Sequence, residues 1–254
     1  MSTAEKIISA LGLFTFERPE WTVEAAAREL QIGLSTTYRH FKTLSDAGLI
    51  VAFSPGRYVL GPAITQLDRQ TRLLDPLISA AKPAMQDLLR AWDSQGILLL
   101  CRLYRDQIMC VHQEATEPHE MAVSFERGKL MPLHRGAASK IVLAHLPARF
   151  VRAFHKRNAE DMAAMSLGQD WDEVKRSMRR MRAAGVVVTY AEVDAGVTGI
   201  AAPLLDAHGG IVGSLGAVLS VADLRGRDPD SFAGMVKATA CRINAAFAAA
   251  LEHT

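Results

Sequence analysis

The sequence predicts an α+β chain in two domains, and three observations carry that prediction. Two short helical segments joined by a glycine turn, then two strand runs around Ser54-Pro55-Gly56-Arg57, fill the first 61 residues. A polar helical stretch ends at Asp75-Pro76, because the residue before a proline disfavours helical geometry. From Gly96 onward, strand runs enclose grouped helices, the pattern of an α+β sheet domain and not of a doubly wound one. At 254 residues and 49% hydrophobic side chains, the chain can build two cores. The expected boundaries are 1–61 for a winged helix-turn-helix, 62–76 for a connector helix and 77–254 for the sheet domain.

The first segment, Ala4 to Phe16, places Ala4, Ile7, Leu11 and Phe14 on one stripe and Ile8, Leu13 and Phe16 on other sides. Either a partner subunit or the following helices would bury that excess of apolar surface. Thr22 to Leu30 opens on a good N-cap, has Glu24 in its first turn and ends before Gly33, as a supporting helix should. In Gln31 to Leu49, a helix capped by Ser35 and running to about Ala47 puts Leu34, Tyr38, Phe41 and Leu44 on a core side, with Gly48 as the stop. The opposite arc carries Ser35, Thr36, Arg39, His40 and Thr43, flanked by Lys42 and Asp46. Short hydrogen-bonding groups near a helix's first half suit base edges and phosphates in a major groove, although an ordinary solvated face has the same composition. The strand runs LIVAF and RYVLG would form a wing with Arg57 at its tip. On this reading Arg39, with Ser35, Thr36, His40 and Thr43, approaches bases, while Tyr38, Lys42 and Arg57 position phosphates.

Net charge is only +2, and basic and acidic side chains balance over the first 75 residues. Bulk basicity therefore gives no support for non-specific nucleic-acid packing, and the argument rests on where Arg39, Lys42 and Arg57 stand. Three cysteines without paired metal spacing suggest reduced thiols and a cytoplasmic setting. The first residues lack the pattern of a secretory signal, and no apolar run reaches membrane-spanning length, so no membrane partner is expected.

In the second domain, a helix runs to about Trp92 with Pro83 as a bend or fresh start. ILLLCRLY and IMCVHQ read as a hairpin, and MAVSF (121–125) as a third strand. Helices fit Ala137 to Leu146, Ala148 to Lys156 and Trp171 to Ala184. Strands resume at VVVTY, GIAAPLLD and IVGSLGAVLSV, and an alanine-rich helix closes the chain. His112-Gln113-Glu114 has no Pro-Cys-x-x-Cys after it, which removes a deaminase zinc site, and the glycines at 209, 210, 213 and 216 open no helix that would cradle a dinucleotide. No metal, cofactor or catalytic set is expected. Lys175 to Arg182 is basic, but it ends a helix that begins with Asp170, Asp172 and Glu173, which is complementarity to the helix dipole.

GKLMPLHRGAASKIVLAHLP (128–147), followed by GVVVTYAEVDAGVTGIAAPLLDAHGGIVGSL, resembles the effector-binding domain of the isocitrate-lyase-regulator (IclR) family of bacterial transcription regulators. The N-terminal TVEAAARELQIGLSTTYRHFKTLSDAGLI and the strand ending in YVLG resemble that family's winged helix-turn-helix. The resemblance implies a homodimer or dimer of dimers whose paired modules read an inverted-repeat operator in double-stranded DNA. It also implies a GAF-like domain holding one small organic acid, and a repressor or activator of a catabolic operon.

For the ligand, the residues themselves suggest a cradle where Gly136 turns into a helix, so that the amides of Gly136, Ala137 and Ala138 present the positive end of the dipole. Small residues there would equally serve close helix packing. His134 and Arg135 are candidate neutralising charges, or interface and surface charges. By the resemblance, Thr189, Tyr190 and Glu192 lie at the ligand rim, and Gly216 and Val218 stand where some members have serines, with Ser214 and Ser220 the polar neighbours of the same parity. Fewer hydroxyls and more room fit a bulkier acid, such as an aromatic carboxylate. Arg102 and His112 on neighbouring strands could face one another and clamp it, although paired strand residues are more often exposed or satisfied within the fold. The alternative is an enzyme or small-molecule sensor whose N-terminal module binds protein.

Overall fold

The structure, a computed structural model, describes residues 2–92, 95–116, 123–221 and 229–252. It divides into two compact units, residues 1–74 and 75–254.

The first unit holds helices α1 (Thr3–Leu11), α2 (Val23–Leu30) and α3 (Leu34–Asp46), a hairpin of β1 (Ile50–Ser54) and β2 (Arg57–Leu60), and helix α4 (Pro62–Leu74). Its helix starts follow from side-chain oxygens that satisfy free amides: Ser2 and Glu5 cap α1 reciprocally, and Thr22 accepts from the amide of Ala25. Gly56 takes φ +75° between the strands, which an L side chain resists. The hairpin has a third partner that the sequence did not announce, because Trp21 exchanges both backbone hydrogen bonds with Tyr58.

The core of this unit is built from Ala10, Trp21, Val23, Ala26, Phe41, Leu44 and Ile50, and it corrects the expected phase of α3. Thr37, His40, Phe41 and Leu44 are the buried positions, whereas Leu34 and Tyr38 are about half exposed. Ser35 is not the cap; Gly33 is the N-cap, without a side-chain bond, and Ser35 lies inside the helix. The buried stripe is rotated from the expected one, off Leu34 and onto Thr37 and His40. Outside the core, Ile8 and Phe16 of the first segment remain exposed.

The second unit is a six-stranded antiparallel sheet in the order β5-β4-β3-β8-β7-β6. Its strands are β3 (Ile97–Tyr104), β4 (Gln107–Ala115), β5 (Leu130–Pro132), β6 (Val187–Tyr190), β7 (Val197–Leu205) and β8 (Ile211–Ser220). Helices α5 (Pro76–Trp92) and α10 (Pro229–Glu252) cover one face. The other face carries α6 (Ala137–His145), with α7 (Ala148–Arg157), α8 (Ala159–Ala164) and α9 (Trp171–Ala184) around it. A sheet covered on both faces needs apolar residues at both parities, which is why ILLLC in β3 is a continuous apolar run. Leu98 and Leu100 pack towards α5 and α10, Leu99 and Cys101 towards α6, and each fully buried leucine contributes about 1.5–3 kcal/mol.

Helix α5 continues through Pro83. The expected third strand is displaced: 121–122 lie outside the described residues, Val123 to Phe125 are irregular, and Leu130–Pro132 pairs with β4 instead. Cys101 and Cys110 are buried opposite one another across β3 and β4, and Cys241 is exposed on α10. Among the described residues, no helix is long and apolar enough to cross a membrane, and no cluster of His, Cys, Asp and Glu is placed to hold a metal.

Burial lowers the pKa of His40, His134 and His145, because each imidazolium would lose its hydration. Their neutral forms contribute stability in full above the ordinary histidine value of about 6.5, and that contribution is lost as pH falls through it towards the lower folded values. The expected outcome is a folding stability that drops as pH falls below about 7, by at most about 1.4 kcal/mol per pH unit for each histidine, and a thermal midpoint that falls with it. His40→Leu should flatten that decline for the first unit, as read by circular dichroism.

Candidate functional site

Two sites are built from these elements, one in each unit. In the first, α2 and α3 are joined by a tight turn in which Gln31 takes the left-handed conformation and Gly33 begins α3. The exposed arc of α3 carries Ser35, Tyr38, Arg39, Lys42 and Thr43, with Thr36 half-buried at its border. Thr43 Oγ1 donates to the Arg39 carbonyl at 3.0 Å, which leaves its lone pairs outward. The Tyr38 hydroxyl donates to Glu24 of α2 at 3.2 Å, and that carboxylate raises the phenol's pKa. Lys42 pairs with Asp46 at 3.5 Å, and Arg57 on the hairpin pairs with Glu20. Both are exposed ion pairs, worth little and easily exchanged for another anion. His40 does not belong to the arc. It is 3% exposed with Nε2 unpartnered, because its position on the helix turns it into the core.

In the second unit the entry to α6 meets the sheet. Gly136 takes φ +81° there, and an added Cβ would stand 2.9 Å from Val193. A Cβ on Gly199 would stand 2.9 Å from Thr189 Oγ1 and 3.5 Å from the Ala137 methyl, and one on Gly216 would stand 3.4 Å from that of Ala138. The small residues therefore let the helix start rest on β7 and β8, so the packing reading of this segment applies. Beside that contact lies a tight cavity of about 50 Å³. Its walls are mainly apolar, from Leu99, Val123, Phe125, Met131, Val193, Val197 and Val218. Ala137 and Ala138 line it too, and neither amide has a hydrogen-bond partner among the described residues. Two unpaired N–H groups at the positive end of a helix favour an anion, while the walls favour an apolar body attached to it.

Of the expected ligand residues, Gly136, Ala137, Ala138, Thr189, Glu192, Gly216 and Val218 line this cavity. Five others lie off its wall. Tyr190 has the opposite parity to Thr189 on β6 and is 62% exposed. Ser214 faces the correct layer, but it is buried beneath the helix and donates to the Ala138 carbonyl at 2.9 Å. Ser220 ends β8, opposite Val197. Arg102 pairs with Asp75 at 3.1 Å, and His134 packs near Phe154 with Nδ1 unpartnered. The expected clamp also fails: the partner of Arg102 on β4 is Met109, that of His112 is Leu100, and His112 Nε2 bonds Glu114 at 2.8 Å.

Two contacts at the cavity went unforeseen. Asp194 accepts from the Ser124 amide at 2.9 Å and from its hydroxyl, which ties the 191–196 loop to the irregular segment at 123–125. Glu192 accepts from the Gly136 amide at 3.0 Å and from Lys140 Nζ, which also donates to the Met165 carbonyl at 2.8 Å. A signal for this pair was present, since Lys140 is a single charge inside the apolar run AASKIVLAH and a buried ammonium requires an anion. The basic stretch of α9 is a surface face. Lys175 and Arg176 pair with Asp172 and Glu173, and Arg182 donates to the Ala144 carbonyl.

Comparison with known proteins bears on both sites. The HTH-type transcriptional regulator KipR of Bacillus subtilis (strain 168) is 22% identical over 204 residues, 80% of either chain. The IclR-type transcriptional regulator of Alicyclobacillus acidocaldarius superposes with a TM-score of 0.76 at 18% identity, over 96% of this chain and 98% of its own. An IclR homologue from Microbacterium hydrocarbonoxydans, crystallised in complex with 4-hydroxybenzoate, gives 0.73 at 18% identity, over 98% and 100%. At that identity the two structures establish the shared fold across both units. The family model for the C-terminal region of the bacterial transcriptional regulator IclR matches residues 74–245, a span that contains the whole cavity and most of the chain, and the protein therefore belongs to the IclR family of bacterial transcriptional regulators.

Proposed function

We propose that this chain is an effector-responsive regulator that recognises an inverted-repeat operator as a homodimer or dimer of dimers. Its cavity would take one small organic acid, with an aromatic carboxylate the best fit. The observation that carries the ligand class is the pairing of unpartnered Ala137 and Ala138 amides with apolar walls in one cavity. The 4-hydroxybenzoate bound by the Microbacterium homologue has that chemistry, a carboxylate on an aromatic body. In the first unit, the arc of Ser35, Thr36, Arg39 and Thr43 is assigned to base edges, and Tyr38, Lys42 and Arg57 to phosphates. The residues from 62 to 76 are assigned the connector role, and the chain is assigned to the cytoplasm where its operator lies.

Regulation then requires only differential binding. An acid that prefers one arrangement of the oligomer by about a hundredfold shifts the equilibrium by about 2.7 kcal/mol, enough to release or secure a moderately tight operator. The deciding experiment titrates the protein, at fixed salt near physiological, against DNA upstream of its own gene and a scrambled control, with a panel of carboxylates. Preference for the upstream fragment that one acid changes is the expected result; no acid effect on any discriminated fragment would refute the effector reading.

Three substitutions sharpen the assignment, two in the first unit and one in the cavity. Arg39→Ala should cost about 1–3 kcal/mol of discrimination at one base pair, whereas Lys42→Ala should weaken all sequences alike and reduce the salt slope by about one. Fluorescence anisotropy at several salt concentrations separates the two. Val218→Phe, which places a ring in the cavity, should abolish the response to the acid while leaving operator affinity within about twofold.

A further inference from the structure

The positive end of α6 already holds a carboxylate. Glu192 reaches from the loop between β6 and β7 to accept from the Gly136 amide and from Lys140, and its own backbone carbonyl accepts from Arg135 Nε at 2.6 Å. It lines the same cavity as the unpartnered amides of Ala137 and Ala138, one and two residues further along the helix start. A carboxylate arriving at those amides therefore meets a like charge on the adjacent donor, and both compete for one ammonium. Coulomb repulsion between unit charges a few ångströms apart in a poorly hydrated cavity disfavours joint occupancy.

We infer that Glu192 is a tethered stand-in for the effector's carboxylate, and that an acidic effector binds by displacing it from Gly136 and Lys140. This rests on the reading of the cavity as a site for an organic acid. Glu192, Thr189 and Lys140 also line a second, more open cleft, together with Arg180, whose bond among the described residues is to Ser177 Oγ at 2.9 Å, and this cleft is where a displaced Glu192 would go. The exchange replaces one carboxylate on Lys140 with another, so the buried ammonium is never left alone. It also removes the side-chain contacts between the 191–196 loop and the start of α6, beside the point where Val193 rests against Gly136, and leaves Arg135 on the Glu192 carbonyl as the remaining tie. The effector is thereby sensed through a loop that it need not touch with more than its carboxylate.

The test uses the full chain as wild type, Glu192→Ala and Glu192→Gln, with sodium acetate as the probe. Acetate is small enough to enter the vacated position whatever the body of the natural effector. In chloride, Glu192→Ala should melt about 10 °C below wild type, because Lys140 loses its buried counter-charge. Replacing chloride by acetate at equal ionic strength should restore at least half of that loss, while the wild-type midpoint moves by less than about 2 °C. Glu192→Gln keeps the volume and an acceptor for Gly136, and should show a smaller loss and a weaker response to acetate than the alanine variant, though still above that of wild type, because acetate must displace the amide. It carries the test if the alanine variant does not fold in chloride. Variants that melt low and respond to acetate no more than wild type does would overturn the inference, since the vacated position would then take no external carboxylate. The underlying reading fails by a different result, the absence of any acid effect on operator binding by the wild type, which the melting series does not measure.

Discussion

The second unit is arranged around a charge that cannot be left alone. Lys140 stands in a mostly apolar helix that otherwise has only Ser139 and His145 as polar residues, and its side chain is only 6% exposed. An unpaired ammonium at that depth costs several kcal/mol, so the fold must deliver an anion to it. The anion comes from a loop 52 residues away in sequence. Fixing Glu192 there fixes Val193 and Asp194, and with them one wall of the cavity and its seal to Ser124. Electrostatic necessity thus determines the shape of an otherwise apolar site.

The first unit obeys a different constraint. A helix of 13 residues must bury one stripe against α1, α2 and the hairpin and leave the other free. Thr37, His40, Phe41 and Leu44 form the buried stripe, so Arg39 and Lys42 are exposed by the same rotation that hides His40. Ion pairs on this surface are few and exposed, and they hold Lys42 and Arg57 only loosely.

The architecture was legible in the sequence because its signals are local. Turn residues at Pro55-Gly56, the cap at Thr22, the stop at Asp75-Pro76 and the apolar run of β3 each determine an element without help from elsewhere. Helix α4 occupies Pro62–Leu74 as read. What was not legible depends on long-range contact or on phase. Leu34 looked like a core residue by type, but the stripe that fits the unit is displaced from it and includes a histidine. Parity places Ser214 in the correct layer, but it does not reveal that the helix start lies on it and takes its hydroxyl. Adjacency of strands suggests a pairing of Arg102 with His112, whereas the bulge between Leu100 and Cys101 shifts the register and Asp75 takes the guanidinium. The cavity's amides could be named from HRGAASK alone; their internal competitor could not, since no local rule links residue 140 to residue 192.

The cysteines divide by the same burial that organises the sheet. Cys101 is pressed between its neighbours in the sheet, and desolvation raises its pKa well above the ordinary thiol range, so the nucleophilic thiolate is scarcely formed. Cys110 is sealed in the same layer, with its thiol directed to the His112 carbonyl at 3.3 Å. Cys241 alone stands in water on the face of α10. A maleimide dye applied to the native chain would therefore attach at one address, and the protein carries its own single labelling handle without any engineered residue.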